Sequence, residues 1–123
     1  MYDLDDLIDL DRRLTGLLGR PDGWDERLRA AVGSGFLRRS WDAGTAPQSV
    51  DELVDELAAA PGHPVEITAT HGWLRNSLGV VTTTCTWEAL GEDEVQVVRV
   101  YQNRSGSWLC EYWQETRAHR PAE

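Results

Sequence analysis

Arg99, Tyr101, Tyr112, His71 and Asp42 are the residues of this chain whose types and spacing could do chemistry. Arg99 and Tyr101 sit two residues apart, as do Tyr112 and Gln114, so each pair shares one face if those segments are strands. Tyrosine hydroxyls aimed into a cavity can orient a polar substrate atom; they can equally be satisfied inside an aromatic core. An arginine turned inward needs a carboxylate partner or an anionic ligand to clamp, whereas a slip of register would leave it in solvent. His71, within Thr70-His71-Gly72-Trp73, carries the ring that titrates near neutral pH. Asp42, beside Trp41, is the acid nearest an expected cavity mouth. The catalytic candidates are therefore Tyr101, Tyr112, Asp42 and His71, and the ligand-binding candidates Trp41, Arg99, Tyr101, Tyr112 and Gln114. His63 falls in a turn and His119 in the tail, and the three histidines lack the spacing of a metal motif.

Those residues are positioned by a hairpin and a long final strand. From Trp108, one alternating set is Trp108, Cys110, Tyr112, Gln114 and Thr116, and the other is Leu109, Glu111, Trp113, Glu115 and Arg117. Only the first set is free of charge, so it is expected to face inward. If Arg104 pairs with Ser107 around a two-residue turn, Tyr101 lies opposite Cys110 and Arg99 opposite Tyr112, and directly opposed residues share a face. Val95 and Val97 would continue that inner face. Leu109 and Trp113, on the other face, then form an exposed contact patch and are interface candidates.

The preceding segments read as helices followed by strands. From Tyr2 to Leu18, Leu7, Leu10, Leu14 and Leu17 recur at helical spacing, with aspartates near the start that complement the helix dipole. A short helix is expected from Trp24 to Val32, capped by Asp22 and ended by Gly33-Ser34-Gly35. Phe36 to Trp41 could form a first strand, although Arg38 and Arg39 spoil its alternation. Ser49-Val50-Asp51-Glu52 matches a capping box and opens a helix to Ala59. Pro64–Arg75, Leu78–Glu88, Val95–Gln102 and Ser107–Arg117 are rich in β-formers and joined by short turns, which favours an antiparallel meander. The expected fold is α+β, one domain over residues 1–123 with a flexible tail at 118–123: a curved antiparallel sheet with the N-terminal helices on its concave face, a cone-shaped barrel.

Composition narrows the function classes. The formal net charge is −9 in 123 residues, with Asp3, Asp5, Asp6, Asp9 and Asp11 clustered at the start. Such a field opposes binding to nucleic acid or an anionic membrane. All 12 basic residues are arginine, which excludes lysine Schiff-base chemistry and a Walker-type lysine. The arginine, alanine and glycine bias is that of a high-GC bacterial genome. Cys85 and Cys110, on strands separated by a third, would lie roughly 10 Å apart, beyond disulfide reach. Free thiols, an acidic N-terminus without a leader pattern and the absence of a long apolar run together give a cytoplasmic expectation.

The order of elements resembles the nuclear transport factor 2-like superfamily, the cone shared by ketosteroid isomerase and SnoaL-like cyclases, and is most similar to a bacterial branch of unknown function. The marks are Asp9-Leu10-Asp11-Arg12-Arg13-Leu14 and the ending in which Tyr101, Gly106, Trp108, Tyr112, Gln114 and Thr116 stand where that branch tends to have Trp, Gly, Trp, Phe, Gln and Thr. The branch's Phe-x-Glu is replaced here by Phe36-Leu37-Arg38, and its His before the last Gln by Trp113, so no role of that glutamate or histidine carries over. The resemblance implies a homodimer and a cavity for a small organic molecule, with any reaction a cofactor-independent proton transfer, isomerisation or cyclisation. The rival reading is a non-catalytic association module that works through the outer sheet face. A deep open cavity containing Arg99 would favour the first, and a closed core with a buried sheet face the second.

Overall fold

The computed structural model describes residues 3–40, 46–59, 65–87 and 94–118. Helix α1 (Leu4–Gly16) starts where the Asp3 carboxylate accepts the Asp5 amide at 2.8 Å, and it runs into a short 3-10 turn at Leu17–Gly19. Its Leu7, Asp11 and Leu14 are buried on one stripe and pack on the sheet. Helix α2 (Trp24–Ala30) is entered through Gly23 in the left-handed region, φ 74°, with no side-chain cap, so Asp22 does not take the capping role expected of it. Helix α3 (Val50–Ala59) has the expected box: Ser49 N–H donates to the Glu52 carboxylate at 3.1 Å and Glu52 N–H to the Ser49 hydroxyl at 3.3 Å. Arg20 donates to the Leu57 carbonyl at 2.7 Å, covering one of the carbonyls left open at the end of α3.

Strands β1 (Val32–Arg39), β2 (Val65–Arg75), β3 (Leu78–Trp87), β4 (Glu94–Arg104) and β5 (Ser107–Ala118) form one open sheet in the order β1-β5-β4-β3-β2. The run β2 to β5 is the expected antiparallel meander; β1 joins β5 in parallel, which makes the sheet mixed. Gly33-Ser34-Gly35, read from sequence as a helix stop, is strand. Part of the reason is space: a Cβ at Gly33 would collide with the Glu111 carboxylate. Gly79 is a second close approach, since a Cβ there would collide with Leu7 of α1. Leucines of α1 and α2, Leu53 and Val54 of α3 and the inner sheet residues share one core.

One residue decides which way the end of the chain faces. Arg104 pairs with Ser107 and Tyr101 with Cys110, as expected, but Val100 pairs with Tyr112, so Glu111 has no partner of its own and forms a bulge. Beyond it the alternation is inverted: Arg99 is opposite Trp113, not Tyr112, and Val97 is opposite Glu115. Cys110 therefore points inward as expected, whereas Tyr112 and Gln114 stand on the outer face and Trp113 is buried. The expectation of Trp113 as an outer-face residue is thereby corrected, because a period of two cannot survive one extra residue.

Candidate functional site

The inner face closes around one carboxylate. Asp11, from α1, accepts Arg99 Nη1 at 3.0 Å and the Tyr101 hydroxyl at 2.6 Å on Oδ1, and the Thr83 hydroxyl on Oδ2. Thr15, one turn on, accepts Arg99 Nη1 at 2.6 Å and donates to the Asp11 carbonyl at 3.0 Å. Two strands and a helix thus meet at a single ion pair. Gly72 and Gly79, on β2 and β3, let α1 lie close enough for the short Asp11 side chain to reach Thr83. Asp11, Thr15, Thr83, Arg99 and Tyr101 are all 0 % exposed.

The Arg99 guanidinium also lies 4.0 Å over the ring of Trp113, a cation–π contact that the bulge makes possible. Its Nε and Nη2 and the Trp113 Nε1 have no hydrogen-bond partner among the described residues. Burial alone would lower the Arg99 pKa, but attraction to Asp11 outweighs it and the guanidinium is held charged. Burial and the adjacent Asp11 push the Tyr101 phenol well above its usual value against the pull of Arg99, so Tyr101 is a neutral donor. Burial likewise raises the Cys110 thiol to about 12.

A second polar group ties β1, α3 and β5. Arg38 donates to Glu115 through Nε at 2.8 Å and Nη2 at 3.0 Å, and through Nη1 to Gln48 at 2.6 Å and Glu56 at 2.7 Å. Burial lowers the Arg38 pKa, but Glu115 and Glu56 together raise it by more, so the net shift is upward. Arg38 is buried against Trp113 in register, which explains the poor alternation of this segment: the inner side of β1 carries a neutralised charge.

Of the residues singled out from sequence, Arg99 and Tyr101 come together at Asp11. Tyr112 donates to Gln114 at 2.8 Å on the outer face, His71 is exposed on that face, and Leu109 is half-buried there. Trp41 and Asp42 lie outside the described residues. Asp11, Thr15, Thr83, Arg38 and Glu115 were not singled out. The signal for Asp11 was present: it lies four residues after Leu7 and three before Leu14, an acid on the apolar stripe.

Chemically the centre pairs a carboxylate with a neutral phenol and a fixed cation, groups that proton transfer employs. All three are sealed by side chains of the chain itself. Among the described residues no three His, Cys, Asp or Glu side chains are grouped to hold a metal ion, and no helix is long and apolar enough to cross a membrane.

No protein-family model matches the sequence, and neither does any curated protein. Solved structures do match in shape. An NTF2-like protein from Cytophaga hutchinsonii superposes with a TM-score of 0.80 at 14% identity, over 96% of this chain and 100% of that one. A candidate ketosteroid isomerase from Parabacteroides distasonis superposes at 0.69 and 10% identity, over 95% and 89%. The CaMKII hub homology domain of Chlamydamonas reinhardtii superposes at 0.73 and 12% identity, over 97% and 100%. With its N-terminal helices lying on an open mixed sheet, the chain has the nuclear transport factor 2-like fold.

Proposed function

We propose that this chain is a non-catalytic association module that pairs with a second copy of itself through the outer face of its sheet. One observation carries the proposal. Trp73, Val80, Val100, Tyr112 and Leu37 are register partners in a single row across all five strands, and every member is apolar or aromatic. Trp73 is 58% exposed and Leu37 43% exposed, so the row is open to solvent at both ends. Contiguous apolar surface of this kind marks a contact site.

Charge favours a copy of the same chain. The apolar row and the rows beside it, which include Leu78 and Leu109 on one side and Val98 on the other, contain no carboxylate in a chain of 21 acidic residues. The bulged Glu111 lies beside them, paired with Arg104 at 3.3 Å. The charges in these flanking rows are Arg75 and Arg39, at their ends, so two copies meeting here would bring no carboxylates together. At strand and residue spacings the acid-free area is on the order of 500 Å², over half of the ~800 Å² per partner of a standard interface.

The closed centre supports the same reading over a ligand-binding or isomerase-type cone. Arg99 is already neutralised by Asp11, and Tyr101 already donates to it, so neither is free to meet a small organic substrate. A fold neighbour named as a hub homology domain accords with an assembly role.

Sedimentation equilibrium tests this. The wild-type chain is expected at twice its 13.8 kDa, and Val100→Asp, at the middle of the row, at one chain mass with its circular dichroism retained. A wild-type protein that sediments as a single chain at micromolar concentration removes the proposal.

A further inference from the structure

Helix α1, the turn after it and α2 enclose a solvent-open groove of about 500 Å³, within the size range of small-molecule sites. Its walls are Leu10, Leu14 and Leu17 from the first helical segment and Pro21 and Ala31 from the second. The charged residues on it are Arg13 and Arg27, one from each helix, and no acid lines it. Neither arginine has an ion-pair or hydrogen-bond partner among the described residues.

We propose that this groove binds an amphiphilic anion, a small molecule with an alkyl or similarly apolar body and a single carboxylate head. The body would lie on the leucines, and the head would reach Arg13 and Arg27, whose planar donor sets suit a carboxylate. In a chain of net charge −9 the surrounding field repels anions, so two uncompensated guanidinium groups flanking an apolar wall single out this spot.

Gly16 is an independent observation. It has ordinary right-handed helical geometry, φ −61°, and a Cβ built on it would meet nothing within 4 Å. Neither backbone conformation nor packing requires a glycine here, in a helix that any other side chain would favour. The missing side chain leaves the groove open where it passes α1. Gly16→Leu would fill it without disturbing the core.

The groove is remote from the outer sheet face, so its test stands apart from the test of self-association. Octanoate, titrated into the full chain below its micellar range, is expected to bind saturably by calorimetry and to shift amide resonances at 13–17 and 27–31. 1-Octanol, with the same chain and no charge, should bind about ten-fold or more weakly, and raised salt should weaken octanoate alone. Gly16→Leu should abolish binding with an unchanged or raised melting temperature. Arg13→Gln with Arg27→Gln should bring octanoate down to the affinity of 1-octanol. The proposal is overturned by equal binding of octanoate and 1-octanol, by resonance shifts centred elsewhere, by Gly16→Leu that folds and still binds, or by no saturation at millimolar octanoate.

Discussion

The inner face of the sheet holds Arg99, Tyr101, Thr83 and Glu115, all buried and all engaged by other side chains, whereas the outer face offers Trp73, Val80, Val100, Tyr112 and Leu37 to solvent. Against the simple pattern of a half-buried sheet, apolar inside and polar outside, the otherwise apolar inner face carries a buried polar centre and the outer face an apolar row. Buried polar groups and exposed apolar patches are the two informative departures from average burial, and here they sit back to back on the same strands. The inner polarity fixes where α1 sits, because only one placement of the helix brings Asp11 to Arg99, Tyr101 and Thr83 together. The outer apolarity has no such partner among the described residues.

The difference can be broken most strongly from inside. Arg99→Met leaves Asp11 buried without its cation, so chemical denaturation should show a loss of roughly 3–5 kcal/mol. Adding Asp11→Leu to that variant should restore part of it, since neighbouring substitutions that remove one pair are not additive. A cost below about 1 kcal/mol for Arg99→Met would mean that the centre is hydrated. Next is Gly79→Ala, whose methyl group meets the Leu7 Cδ2 and forces that buried side chain to repack; overpacking of this kind costs about 1–3 kcal/mol, read as a lower melting temperature.

Alkaline pH probes the same face more gently. The Cys110 thiol titrates near 12 in the folded chain and at its ordinary value of 9.0 when unfolded. Between those values the unfolded chain has lost a proton that the folded chain keeps, so stability falls as pH rises, by about 1.4 kcal/mol per unit. Tyr101, also raised, adds a second proton to the slope above pH 10. Cys110→Ala should make the slope between pH 9 and 10 shallower, and an unchanged slope there would assign the titration elsewhere. The smallest effect belongs outside: Val100→Asp, measured on the dissociated protomer, should cost only about 1 kcal/mol in strand preference while abolishing self-association. A large loss of protomer stability would show that the outer row is already covered by the chain.

Much of this was visible in the residues. The leucine spacing of α1, the Ser49–Glu52 box, the two-residue turn at Ser105-Gly106 and the antiparallel meander all follow from local preferences, and the structure has each. The inward placement of Arg99, Tyr101, Val95 and Val97 was also legible, because the turn sets the register and the register sets the face. The need of Arg99 for a carboxylate followed from burial alone, but the identity of that carboxylate did not. Asp11 stands 88 residues away in sequence, among several other acids in the same helix, and only its position on the leucine stripe distinguishes it.

The sequence by itself determined the elements, the turn and the chemistry that a buried arginine demands, since these depend on neighbours along the chain and on the solvation of one group. Tertiary structure alone decided the course of β5 beyond Cys110. Its alternation was read as continuous, with Tyr112 and Gln114 inside, yet the bulge at Glu111 turned Trp113 and Glu115 inward to meet Arg99 and Arg38. Whether a strand absorbs an extra residue depends on what waits on both of its faces: here a guanidinium ready to stack on an indole, and a glycine at position 33 with room for a carboxylate. No local propensity encodes that choice, because the free energy that settles it comes from residues far apart in the chain.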